Sequence, residues 1–377
     1  MSESRTDVIL KHLEGSAHPL GRRRSFGVPQ DDISFRTFVI RVSSFIREFG
    51  FRHSSFLPLI CLILLATGCK PSPPAANTVT LYTAVDEPVA RPILAAFEKR
   101  TGIHVNLVPD TEASKTSGLS DRLEAEKGNP QADVWWSNEP FHTIILAESG
   151  VLGAYESPSA RDIPARFKDP LHRWAGTALR IRVIAARPDV AARITGLEDL
   201  VKPEFRGQIG MCRPGVGSVG GHVSSLYALW GDAKADAFFA ALKRNDVHLV
   251  GGNSVVADNV GRGQFVAGPT DNDDCYNAQS EGGKLEMIVP DQSGIGTLAI
   301  PCTVGLVAGA KHADDARKLI DYLLSKDVED QLTAAHFCRY SVFGQPAGVR
   351  LMQVDYLEVA RTMPRAIARA RQILEDR

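Results

Sequence analysis

Three carboxylates fall within four positions at Asp271-Asn272-Asp273-Asp274. Acids so close repel one another unless they are solvated, cap a helix or face something positive. The surrounding stretch, Gly268-Pro269-Thr270-Asp271-Asn272-Asp273-Asp274, follows an apolar segment, Gln264 to Ala267, and precedes a helix-forming one, Cys275 to Gly282. A strand-to-helix turn of that kind is where α/β proteins hold ligands. Either Asp271 or Asp273 caps the coming helix while the others face water, or Asp271, Asp273 and Asp274 form the cation-facing wall of a cleft. More acids sit at the ends of three earlier strands: Asp86 and Glu87, Glu112, and Glu139 beside Ser137.

A second cluster suits the opposite charge. Gly215-Val216-Gly217-Ser218-Val219-Gly220 separates a short strand from a helix. Free N–H groups at Gly217 and Ser218 would bind phosphate, carboxylate or carbonate, with the Ser218 hydroxyl and His222 adding donors. The same letters spell the dinucleotide fingerprint, but Arg213-Pro214 intrudes between strand and loop, and a plain glycine-rich turn is the other alternative. Ser218 with His222 could also be a nucleophile and its base, although Val216 stands where the nucleophile elbow needs its first glycine. That leaves an envelope hydrolase as a remote alternative. Tyr82, Trp135 and Trp136 either border the ligand or pack beneath it, and a strand's alternation puts one tryptophan on each face.

The elements that must position these groups read in order as strand Thr78–Ala84, a helix from Pro88 stopped by Gly102, strand His104–Val108, a helix opened by Thr111-Glu112-Ala113-Ser114, strand Asp133–Trp136 and a helix from Pro140. Strand alternating with helix implies a parallel sheet. Trp174 to Arg187 reads as an extended crossover interrupted by arginines. Beyond it the pattern restarts with strand Gln208–Cys212, helices Val219–Trp230 and Ala233–Arg244, strand His248–Val250, a helix near Val255–Gly261 and strand Gln264–Ala267. Strands Leu285–Val289 and Thr297–Val307 flank a return hinge at Pro290-Asp291-Gln292-Ser293-Gly294, and helices Ala313–Leu324, Val328–Ala335 and Tyr356–Leu374 follow. The expectation is an α/β protein of two lobes, each a mostly parallel sheet flanked by helices, joined by two crossover strands with the cleft between them. Lobe 1 would hold residues 78–174 and 286–338; lobe 2 would hold 175–285 and 339–377.

Of 377 residues, 44% are apolar and 23% charged, ordinary globular proportions. The net charge of −1 gives no footprint for nucleic acid. Residues 1–68 carry nine Lys or Arg against six Asp or Glu, so the remainder is mildly acidic. An apolar run from Phe56 to Ala66 follows Arg41, Arg47 and Arg52, too short to span a bilayer but right for an export signal. Arg23-Arg24-Ser25-Phe26 looks like a twin-arginine signal, but lies thirty residues upstream of that run. The run ends in Leu64-Leu65-Ala66-Thr67-Gly68-Cys69, similar to a bacterial lipoprotein box. Residues 1–68 are therefore expected to be a removed leader, Cys69 the lipidated N-terminus, and 69–77 a proline-rich tether. Cys212, Cys275, Cys302 and Cys338 would then sit in an oxidising compartment with three possible pairings.

The two-lobe pattern, together with Phe97-Glu98-Lys99-Arg100-Thr101-Gly102-Ile103-His104-Val105, Gln131-Ala132-Asp133-Val134-Trp135-Trp136-Ser137 and Lys318-Leu319-Ile320-Asp321-Tyr322-Leu323-Leu324-Ser325, resembles the type II periplasmic solute-binding proteins of ABC importers. The likeness runs over about 77–345 and is nearest the ferric-iron-binding branch. In that branch adjacent tyrosines at a turn into a second-lobe helix hold the metal, an acid or His comes from the first lobe, and a small anion completes the shell. By position, the tyrosine pair falls on Asp273-Asp274, the first-lobe ligands near Asp86 or Glu87 and on Glu139, and the anion loop on Gly217-Ser218-Val219. The resemblance implies a monomeric, lipid-anchored periplasmic receptor without a resident cofactor, handing a small ligand to an ABC permease and its ATPase. Carboxylates in place of tyrosines suit a hard cation, Fe3+ or another, or an amine, with Glu139, Asp273 and Asp274 as metal ligands. A receptor for an amine, a phosphonate or another small anion, held by Ser218 with Arg180 or Arg182, is the alternative.

Overall fold

The computed structural model describes residues 77–111, 116–344 and 346–376. The leader, the twin arginines, Cys69 and Glu112 lie outside the described residues. Strand β1 (Thr78–Thr83) alternates partly and fully buried positions before its C-terminal half sinks completely into the core. It is flanked in parallel by β2 (His104–Pro109) and β3 (Val134–Ser137). Between β1 and β2 runs α1 (Glu87–Thr101), with proline in its first turn and Gly102 ending it at φ 70°. Its buried face is Ala90, Ile93, Leu94 and Phe97, the three-and-four spacing of an amphipathic helix. Phe97 meets the ring of Tyr322 at 5.4 Å. Helix α2 (Ser117–Ala125) follows β2 and α3 (Phe141–Glu148) follows β3. The short β4 (Leu152–Gly153) comes next.

The crossover reading of Trp174 to Arg187 becomes β5 (Ala175–Ala186), twelve residues, every one buried. The return strand is β10 (Ala299–Val307), antiparallel to β5 and β3 with a bulge between Pro301 and Cys302. Further along, β5 pairs with β8 (Ala267–Asp271) and β9 (Glu286–Ile288), giving the order β2-β1-β3-β10-β5-β8. A parallel pair, β6 (Gly210–Cys212) and β7 (His248–Val250), abuts β8 through an Ile209–Ala267 bridge. Among the described strands, the pairings that avoid β5 and β10 are parallel, so the antiparallel exceptions are made by the two crossovers.

Helix α4 (Val219–Arg244) unites the two helices expected there, but Gly231 at φ 75° breaks it at the expected boundary. Helices α5 (Asn253–Gly261) and α6 (Asn272–Ser280) flank β8, and α7 (Ala313–Leu323) and α8 (Lys326–Ala334) follow β10. The C-terminal α9 (Tyr356–Glu375) is tied to α4 by Arg365 to Asp232 and Arg369 to Asp236, and to α3 by Arg361 to Glu148. Helices α3 and α4 also touch directly: a β-carbon on Gly221 would overlap the Phe141 ring.

Two expectations fail here. Gly268, Pro269 and Thr270 belong to strand β8, not to a turn, and α6 starts at Asn272, three residues before the helix read from sequence. Trp135 and Trp136 are both fully buried, because β3 is covered on each face.

Candidate functional site

Arg180 and Arg182 are two apart on β5, so their side chains leave the same face. Burying two guanidinium groups demands counter-charges, and the antiparallel register sets Asp271 directly opposite Arg182. Arg182 Nη1 lies 2.7 Å from Asp271 Oδ1; Arg180 Nη2 lies 2.9 Å from Asp271 Oδ2 and 2.8 Å from Asp273 Oδ2. These four side chains are all nearly inaccessible to solvent. Arg180 also donates to the Asn138 carbonyl at 3.3 Å, from the segment after β3, and rests 5.1 Å over the Phe337 ring.

Asp271 is simultaneously the N-cap of α6, with Asp274 as its reciprocal partner in a capping box. Asp274 Oδ2 accepts from the Asp271 N–H at 3.3 Å and the Thr270 hydroxyl at 3.0 Å. Asn272 uses its side chain to accept from the Ile181 N–H at 2.8 Å, locking the turn to β5. Burial opposes ionisation of Asp271, but the charges of Arg182 and Arg180 and the Ser218 hydroxyl outweigh it and hold the carboxyl down at about 2. For Arg180 burial is likewise outweighed, by Asp273, Asp271 and Asp274, and its pKa moves well up.

From the other side come the glycine loop and α5. Ser218 Oγ donates to Asp271 Oδ2 at 2.6 Å, and Asn253 Nδ2 reaches Asp271 Oδ2 and Ser218 Oγ at 3.1 Å each. That donor pattern fixes the amide orientation, which leaves Asn253 Oδ1 buried with no hydrogen-bond partner among the described residues. Gly217, at φ 52°, has open space where a side chain would stand. Asn138, Arg180, Gly217, Ser218, Asn253, Asp271 and Asp274 line a cavity of about 20 Å³, room for a water or a single ion.

Of the residues read from sequence, Gly217, Ser218, Asp271 and Asp274 meet at this cavity, and Asp273 backs it through Arg180. The remaining described ones do other work. Glu139 caps α3, accepting from the N–H groups of Phe141 at 2.7 Å and His142 at 3.1 Å and from the His142 ring at 3.0 Å. Burial disfavours charge on that imidazole, but Glu139 more than compensates and raises its pKa. Ser137 Oγ accepts from the Glu139 N–H. Tyr82 is buried against α2 with its hydroxyl on Glu126, its pKa pushed up to about 12 by burial and that carboxylate. Glu87 pairs with Arg91 at the surface, and Asp86 precedes α1 as its cap residue. Asn138 and Asn253 had no sequence signal, since a lone amide carries no spacing. The Ser218 hydroxyl goes to Asp271 and not to His222, whose ring is held neutral, near pKa 3, by burial and the Arg182 charge.

A two-lobed α/β scaffold that draws side chains from several strand ends and helix starts onto one small polar gap is that of a type II periplasmic solute-binding protein. The chain belongs to the bacterial extracellular solute-binding protein family, whose profile matches residues 79–337. It is 26% identical over 246 residues to a putative 2-aminoethylphosphonate-binding periplasmic protein of Salmonella typhimurium, covering 63% of this chain and 69% of the relative. It is 23% identical over 289 residues to the major ferric iron-binding protein of Neisseria meningitidis serogroup B, covering 72% and 83%. Its fold matches the periplasmic binding protein AfuA from Actinobacillus pleuropneumoniae, determined with fructose-6-phosphate, at a TM-score of 0.70 and 21% identity, over 80% of this chain and 99% of that one.

Proposed function

We propose that this protein is the lipid-anchored periplasmic receptor of an ABC importer, closing over a small cargo that presents a cation or a hydrogen-bond donor to the oxygens of Asp271, Asp274 and Asn253. The observation that carries the reading is Asn253 Oδ1, a buried acceptor without a partner among the described residues, on the wall of the cavity. Leaving such an atom unmatched costs about 1–3 kcal/mol, which a metal ion or an ammonium group would recover. Fe3+ is the first candidate cargo: it is a hard cation suited to carboxylate and amide oxygens, and the Neisseria relative is named for ferric iron. An anion would complete its shell at Gly217 and Ser218, beside the start of α4.

A specific observation favours a second cargo. Arg180 and Arg182 already occupy Asp273 and Asp271, so a bare trivalent ion would have to compete with two guanidinium groups. A zwitterion such as an aminoalkylphosphonate would not, placing only its amine in the cavity, on Asn253 and Asp274, and leaving its phosphonate outside on the loop, in keeping with the Salmonella relative. Titration calorimetry of the purified protein with Fe3+ plus carbonate, 2-aminoethylphosphonate and fructose-6-phosphate separates these. Binding of Fe3+ supports the first reading and binding of the phosphonate the second; turnover of any of them without retention defeats the receptor reading altogether.

A further inference from the structure

Two thiols that the polar cavity does not use lie side by side. Cys302, at the bulge of β10, and Cys338, just past α8, have their sulfurs 3.7 Å apart, and both are buried. Cys212 and Cys275 sit apart from them in β6 and α6. We infer that Cys302 and Cys338 are joined by a disulfide in the exported protein. The inference rests on the receptor reading above in one respect: the reducing cytosol would keep the pair as thiols.

Bonding requires the sulfurs to close by about 1.6 Å, within reach of side-chain rotation and a small shift of one segment. The partner is a disulfide-bearing oxidant of the thiol oxidoreductase or glutathione class. One cysteine thiolate attacks a sulfur of that disulfide and expels one thiol; the second cysteine then displaces the other. Two S–H bonds and one S–S bond break, one S–S bond forms between Cys302 and Cys338, and two electrons and two protons leave on the oxidant as two thiols. Burial pushes the Cys338 thiol well above its usual range, so the reactive thiolate is scarce once the chain has folded.

Residues 337–340 bear on the site. Phe337, one residue before Cys338, is the platform beneath Arg180, and its carbonyl accepts from Asn272 Nδ2 at 3.3 Å. Arg339 and Tyr340 donate their N–H groups to the Leu179 carbonyl, at 2.7 and 3.1 Å, clasping β5 next to Arg180. A covalent link from β10 to Cys338 fixes this platform and closes a loop of 36 residues' separation, for which chain-entropy arguments give a Tm about 6 °C higher than in the reduced protein.

The test is thiol mapping of the full chain, isolated from the cell envelope with maleimide present throughout and digested without reductant. A linked Cys302–Cys338 peptide, two hydrogens lighter than its parts, with a Tm that falls by about 6 °C on reduction and no such fall in Cys302→Ser, is the expected result. A Cys212 or Cys275 linkage, or full alkylation of both cysteines in cells and after refolding in oxidised glutathione, overturns the inference. Linkage on refolding with free thiols in cells upholds the pairing and overturns the export reading instead.

Discussion

Replacing Asp271 by Asn removes one charge from the centre of the buried network. The carboxyl's fall from an ordinary 3.8 to about 2 corresponds to about 2 kcal/mol of folding stability. The substitution also strands Arg182, whose ion pair is with Asp271, so the loss should reach about 3–5 kcal/mol, the usual result of breaking one partner of a buried pair. Removing both charges, Arg182→Met with Asp271→Asn, leaves no orphan and should restore at least about 2 kcal/mol of that loss. Urea unfolding followed by tryptophan fluorescence, with the slope held constant across the four proteins, measures the cycle. The sign with pH follows: the folded carboxyl titrates below the unfolded one, so this stability is complete above about pH 4 and disappears as pH falls toward 2. A loss under about 1 kcal/mol for Asp271→Asn, or additive single and double effects, would refute the claim that these charges hold one another.

Asn253→Leu should weaken cargo affinity at least tenfold by calorimetry while leaving Tm within a few degrees, since it removes the cavity's unmatched acceptor; unchanged affinity sinks the proposed role. Asp291, whose carboxyl is raised to about 6 chiefly by burial, disfavours the folded state once ionised. Its backbone is already at φ 58°, which asparagine tolerates. Asp291→Asn should therefore raise Tm at pH 8 and lose that advantage below about pH 4, where the carboxyl is protonated in both states; an equal Tm gain at both pH values contradicts this. Gly221→Ala should force α4 away from Phe141, lowering cargo affinity more than thermal stability, which paired calorimetry and melting would reveal.

The alternation of strands and helices was legible where an element has a clean apolar period, as in Ala90, Ile93, Leu94 and Phe97 of α1. Legibility failed at β8, where Gly268-Pro269 reads as punctuation. The strand requires the glycine because β8 lies hard against its neighbours: a β-carbon on Gly268 would run into the Gly210 carbonyl and Val256. At the acidic turn both sequence readings hold part of the answer. Asp271 does cap α6, and something positive does face the acids, but it is the chain's own Arg180 and Arg182. Two arginines spaced by two in an otherwise apolar strand already signal that demand for counter-charge; which acids would meet it depends on a register between residues ninety positions apart. Glu139 serves the start of α3, a duty that an acid after a strand can take up as readily as a ligand's.

Strand β5 is both a spine shared by the two lobes and the mount for the two guanidinium groups beneath the cavity. On the receptor reading proposed above, a cargo that re-aims those groups would also torque the connector, tying loading to bending. A permease reading the angle between the lobes would learn of the cargo without touching it.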